Sequence, residues 1–142
     1  MRRRKLLAGL AALPLLGSRG ARATALATVR LERLSEPWSA EEFEFDAAGD
    51  RQPGILVRLP QDRWYASSML CSHNNCKLMF VRDLAMARDS FSVKTSNPIL
   101  GCPCHFSVFD IAQGGKVMTG PAPKPPLQLR VRIVDGTAFI EP

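Results

Sequence analysis

Alternation of apolar and polar positions is the dominant pattern from residue 24 onward. Glu42-Phe43-Glu44-Phe45 switches at every step, and Leu127-Gln128-Leu129-Arg130-Val131-Arg132-Ile133 does so strictly. A period of two turns one face of an extended strand inward and the other outward. Gly54 to Leu59 is a short apolar run bounded by Pro53 and Pro60, and Trp64 to Met69 is another. Both read as strands. Asp135-Gly136 is a tight hairpin signal, so Thr137 to Ile140 returns antiparallel to the alternating segment before it. Helix-like stretches are scarce; Ala40 to Glu42 and Val81 to Arg88 are the two candidates. Many short strands with turn residues between them predict an all-β chain, an antiparallel sandwich or small barrel.

Composition sets the scale. At 142 residues, one domain is expected, and an apolar share of 46% is ordinary for a globular protein. Pro121, Pro123, Pro125 and Pro126 interrupt the chain near its end, but the strand pair after them is too small to stand alone. They mark a rigid loop on the same domain rather than a linker. The net charge of +6 suggests an anionic partner until its location is considered. Arg2, Arg3, Arg4, Lys5, Arg19 and Arg22 supply six of the 19 basic residues, and no acid precedes Glu32. The remaining 13 basic residues balance 13 acidic ones, so nucleic-acid binding has no support.

That basic segment reads as an export signal over residues 1–23, leaving a domain over 24–142. Arg2 to Lys5 precedes a short apolar stretch, Leu6 to Leu16, and Ala21-Arg22-Ala23 has cleavage-site form. Arg3-Arg4-Lys5-Leu6-Leu7 fits a twin-arginine pattern, which predicts a periplasmic protein exported already folded. The apolar stretch is far short of the roughly 20 residues that span a bilayer, so membrane attachment is expected only if the leader stays uncleaved.

Two short segments hold every cysteine and every histidine: Cys71-Ser72-His73-Asn74-Asn75-Cys76 and Cys102-Pro103-Cys104-His105-Phe106-Ser107. Both histidines fall within three residues of a cysteine. Three chemistries accept these residues. Four cysteines in an exported chain can make two structural disulfides. Cysteine and histidine together can hold zinc, although Cys71-x-His73 fits the usual zinc knuckle poorly. Two Cys and two His are also the ligand set of an iron–sulfur centre in which imidazoles replace two thiolates on one iron.

The pattern C-x-H-x-x-C followed by C-x-C-H-x-S resembles the two boxes of the Rieske iron–sulfur family, the bc-complex and arsenite-oxidase small-subunit type that carries an inter-loop disulfide. Gly120-Pro121-Ala122-Pro123 is similar to the Pro loop that covers the cluster in that family. The resemblance spans about residues 42–140, with specific motifs only in the boxes and the loop. It implies a base of antiparallel strands with a small cluster-binding subdomain over 65–125, and one 2Fe–2S cluster per chain. Cys71 and Cys102 would ligate one iron and His73 and His105 the other, with Cys76 and Cys104 forming the disulfide. Ser107 would bind the cluster through a bridging sulfide. Less negative imidazole ligands make an added electron easier to accept, so Rieske potentials reach roughly −150 to +300 mV. The resemblance also implies an electron port at the exposed histidine edges and a potential that depends on pH in the alkaline range.

Departures from the family pattern narrow the function. Phe109 stands where quinol-oxidising members carry a Tyr whose hydroxyl bonds a ligand sulfur. Phe106 replaces a usual Gly, and Asn74-Asn75 replaces a usual Leu-Gly; Asn75 can adopt the left-handed backbone that Gly permits. The run Cys102 to Asp110 is closer to the small subunits of molybdenum-containing arsenite oxidases. Oxygenase Rieske domains lack the disulfide. The expected function is therefore periplasmic one-electron transfer, as a small subunit or soluble carrier for an oxidoreductase, with a larger subunit or a cytochrome as redox partner. The alternatives are the iron–sulfur subunit of a quinol:cytochrome c reductase, and a zinc- or disulfide-stabilised binding module. No group for substrate chemistry is visible. The spacer Lys77 to Gly101 is longer than usual, and its Arg82, Asp83, Arg88, Asp89 and Lys94 read as a solvated surface or a partner-docking insertion.

Overall fold

The computed structural model describes residues 24–142, so the expected leader over 1–23 lies outside the described residues. Ten strands, one α-helix and two short 3-10 turns follow in the order β1 (Ala27–Arg30), β2 (Ala40–Ala47), β3 (Asp50–Arg58), β4 (Trp64–Ser68), β5 (Met79–Val81), α1 (Leu84–Phe91), β6 (Ile99–Gly101), β7 (Val108–Asp110), β8 (Lys116–Thr119), β9 (Gln128–Val134) and β10 (Thr137–Glu141). Six strands form a base sheet in the order β1-β10-β9-β4-β3-β2, and its ends approach so that it is nearly a closed barrel. The other four form a small sheet, β5-β6-β7-β8. Every pairing is antiparallel, as the alternation predicts.

Local chemistry explains the hairpins. Asp135 and Gly136 both take positive φ, 47° and 72°, and join β9 to β10 with Val134 opposite Thr137. Ala48 and Gly49 do the same between β2 and β3. Two left-handed residues give a turn whose twist matches that of the flanking strands.

β3 and β4 divide two cores. Successive side chains point to opposite faces, so Ile55, Val57 and Tyr65 enter the core shared with the small sheet, while Leu56 and Ala66 enter the base core with Phe45, Leu129 and Ile140. Burial on both faces is why Gly54 to Leu59 reads as a continuous apolar run. Pro53 lies inside β3 without breaking a ladder bond. Its carbonyl accepts from the Met69 N–H at 2.8 Å, and the Met69 carbonyl that would have faced a Pro53 N–H accepts from Leu78 instead, at 2.7 Å.

Three expectations need correction. Ala40 to Glu42 is not helical but opens β2, paired opposite Val57, Leu56 and Ile55. The helix expected over Val81 to Arg88 begins three residues later, because Val81 ends a strand and Asp83 caps the helix by accepting from the Ala85 N–H at 2.8 Å. The apolar face of Leu127 to Ile133 is buried only at Leu129; Leu127 and Ile133 stay exposed, since β4 pairs with β9 only at Leu129 and Gln128.

Candidate metal centre

Each box is a six-residue loop closed by the same two backbone bonds. In the first, Cys71 N–H donates to the Cys76 carbonyl at 2.9 Å and Asn75 N–H to the Cys71 carbonyl at 2.9 Å. In the second, Cys102 N–H donates to the Ser107 carbonyl at 2.8 Å and Phe106 N–H to the Cys102 carbonyl at 3.0 Å. The fifth residue is left-handed in both, Asn75 at φ 55° and Phe106 at φ 59°. Asn tolerates that conformation readily. Phe does not, and a left-handed non-Gly residue costs about 1–2 kcal/mol. The two loops are thus one turn used twice, with histidine third in the first loop and fourth in the second.

This geometry sorts the side chains by depth. The first residue of each loop, Cys71 and Cys102, is 1% exposed. Both are free thiols in the core with Phe109, Leu100, Met69 and Ile111. His73 and His105 are exposed, and their rings meet edge-on with centroids 4.8 Å apart. Burial pushes the Cys71 thiol up; the His73 backbone opposes this, Cys102 adds to it, and Ser107 opposes it more weakly. Cys76 and Cys104 form the expected disulfide, with Cα atoms 6.5 Å apart, and tie one loop to the other. The sulfurs of Cys76, Cys102 and Cys104 all lie within 4.8 Å of one another.

The Pro loop latches onto both boxes. Ser107 Oγ accepts from the Ala122 N–H at 3.0 Å, and Ser72 Oγ donates to the Lys124 carbonyl at 2.6 Å. Gly120 is required at this crossing: its φ is 92°, and a Cβ there would collide with the Ser107 backbone. Ala122 is buried in the core that holds both thiols. Ser72 was not singled out from sequence, and nothing in a lone serine signals a partner 52 residues away.

The segment between the boxes supports the second box. α1 turns Phe91 onto Gly101, the residue before Cys102, where a Cβ would meet the Phe91 ring at 2.5 Å. The same ring meets Phe106 edge-on, 6.3 Å between centroids. Arg82, Asp83, Arg88, Asp89 and Lys94 are all exposed, as read from sequence, and Arg88 pairs with Asp89 at 2.8 Å. Phe109 is fully buried in the core that holds both thiols.

Two dry thiols beneath two solvent-facing imidazoles, on loops locked together by a disulfide, define a metal-binding electron carrier. Soft sulfur and borderline nitrogen donors in this number suit an iron–sulfur cluster, and the buried carboxylate of Asp110 is already engaged by the Ala112 N–H and the Gln113 side-chain amide. The Rieske 2Fe-2S domain matches residues 33–135, and the chain belongs to that family. Its cofactor is a 2Fe–2S cluster, and its role is electron transfer.

Solved structures agree on the fold. The ferredoxin of carbazole 1,9a-dioxygenase from Nocardioides aromaticivorans is 25% identical, with a TM-score of 0.56 over 84% of this chain and 99% of that one. The soluble domain of Rieske protein II from Sulfolobus acidocaldarius is 19% identical, with a TM-score of 0.57 over 89% and 79%. The plasma-membrane Rieske protein from Synechocystis is 20% identical, with a TM-score of 0.51 over 71% and 86%. No curated protein matches the chain in sequence. Among the described residues no helix is long and apolar enough to cross a membrane.

Proposed function

We propose that Cys71 and Cys102 hold one iron as thiolates, that His73 and His105 hold the other through ring nitrogens, and that the chain serves a larger oxidoreductase in the periplasm. The observation that carries this reading is the pairing of the two imidazoles, 4.8 Å apart, over two buried thiols. When bound, the cluster takes up and releases one electron at a time.

The residues divide the work. Cys71 and Cys102 keep water from the inner side of the site. His73 and His105 present their edges to solvent, so a partner that docks there comes within the shortest distance. The Cys76–Cys104 bond and the Ser72 and Ser107 contacts fix the loops, which limits rearrangement when charge changes. The disulfide also fits an exported protein, since such bonds persist in oxidising compartments. The second box supports an arsenite-oxidase-like small subunit or a soluble carrier, whereas the buried Phe109 and polar Asn74 speak against quinol oxidation.

An EPR-monitored redox titration tests the assignment. A rhombic signal with a midpoint well below about +300 mV, the family's upper end, is expected. Bound zinc without a signal would refute the ligand set, and a midpoint near the upper end would favour a quinol:cytochrome c reductase subunit. Cell fractionation and copurification with a molybdenum-containing subunit test the location and the partner.

A further inference from the structure

We infer that loss of the cluster frees Cys102 to attack the adjacent Cys76–Cys104 disulfide, moving the bond to Cys76–Cys102 and locking the emptied chain out of reloading. The inference rests on the proposed role of Cys102 as a ligand.

The observation is the cluster of three sulfurs. Cys102 Sγ lies within 4.8 Å of both disulfide sulfurs, at most about 1 Å beyond van der Waals contact. A free thiol held this near a disulfide is set up for exchange, which proceeds by thiolate attack on one sulfur with departure of the other. Donating to iron, the Cys102 sulfur would give up much of the thiolate charge that attack requires. Unbound, it is one of two free thiols, and the only one of the two in the three-sulfur group.

The direction follows from chain geometry and exposure. Cys102 and Cys104 are separated by Pro103 alone, whose locked φ opposes the small ring a direct bond between them would close. Attack therefore falls on Cys76. The electron pair of Cys102 Sγ forms the new bond to Cys76 Sγ, and the pair of the Cys76–Cys104 bond leaves with Cys104. The proton given up by Cys102 is regained at Cys104 through solvent. One disulfide and two thiols exist before and after, so no oxidant is consumed. Cys104 is exposed while Cys102 is buried, so water solvates the departing sulfur. The product lacks a free Cys102 and presents a reactive thiol at the loop tip.

The test starts from the cluster-loaded protein. Iron is removed with a chelator under strictly anaerobic, native conditions, samples are quenched in acid, free thiols are alkylated, and the peptides are mapped by mass spectrometry. The expected result is a time-dependent loss of the Cys76–Cys104 peptide, gain of a Cys76–Cys102 peptide, and alkylation moving from Cys102 to Cys104. Loaded protein held equally long keeps label off Cys104. A persistent Cys76–Cys104 bond with label on Cys71 and Cys102 would overturn the inference. A Cys102–Cys104 bond with label on Cys76 would overturn it as well. Failure of the ligand assignment reads out separately, as protein isolated without iron and sulfide; mapping that chain directly then shows whether the bond has moved.

Discussion

The ring of Phe91 meets that of Phe106 edge-on, with 6.3 Å between centroids and 67° between planes. One residue belongs to α1 and the other to the second box, beside His105. Phe106 is 56% exposed and left-handed, two unfavourable conditions for an aromatic residue. An edge-to-face pair contributes about 0.5–1.5 kcal/mol beyond area burial and offsets much of that cost. α1 is therefore tied to the geometry of the second box.

Phe106→Gly relieves the backbone strain and removes the pair, so its stability should stay within about 1 kcal/mol of the parent. Phe91→Ala empties a buried site and should cost about 3–5 kcal/mol. A double-mutant cycle by urea unfolding should return a coupling of about 1 kcal/mol between the two. Additive effects would show that the rings do not support each other.

Phe109→Tyr places a hydroxyl in the core that holds both free thiols, the proposed cluster ligands. A donor to sulfur stabilises the electron-rich reduced form, so the midpoint should rise. A difference of about 1 kcal/mol corresponds to roughly 40 mV for a one-electron couple. Redox titration of the variant beside the parent checks the sign; an unchanged midpoint would mean that the hydroxyl finds no sulfur.

Burial pushes the Tyr65 phenol up to about 12 from 10.0, with a smaller opposing influence from Ser67, whose own hydroxyl donates to the Ser68 carbonyl. The Tyr65 hydroxyl has no hydrogen-bond partner among the described residues. As pH rises, the unfolded chain ionises first. The stability this group contributes is complete below pH 10 and is lost as pH rises through about 12. About two units correspond to roughly 2–3 kcal/mol. Tyr65→Phe should remove this alkaline limb from urea unfolding measured against pH. At neutral pH it should match or exceed the parent in stability, because it deletes an unpartnered buried hydroxyl.

Replacing Cys76 and Cys104 together by Ser opens a loop whose ends are 28 residues apart. Loop entropy predicts a loss of roughly 3–4 kcal/mol. The cluster signal should also decay faster, because nothing covalent then holds the first box against the second. Equilibrium unfolding and the lifetime of the visible cluster absorption read the two effects separately.

What was legible in the sequence was local or chemical. Asp135-Gly136 specifies its own turn, and the spacing of the sulfur and imidazole donors carries the resemblance to a Rieske site. What was not legible depends on distant partners. Ala40 to Glu42 has helix-forming residues, yet it extends because Ile55 to Val57 lies opposite it across a full ladder. Pro53 discourages a strand assignment until Leu78 is seen to take the Met69 carbonyl. The repetition of one turn in both boxes was hidden, because the same backbone carries histidine at different positions and closes on Cys76 in one case and Ser107 in the other. Phe106 shows in the sequence only as a missing glycine; the contact with Phe91 that compensates it comes from the last residue of α1, three residues beyond the expected helix end at Arg88.

The Pro loop is held at Lys124 through its main-chain carbonyl and at Ala122 through its main-chain N–H. A fastening of that kind is indifferent to the side chain at position 124, which projects into solvent beside the first box. Charge on this rim can therefore be rewritten one substitution at a time without unfastening the cover. The solvent-facing side chains and the main-chain fastenings of this loop are in this sense separate traits, and the first can drift while the second keeps the loop seated on both boxes.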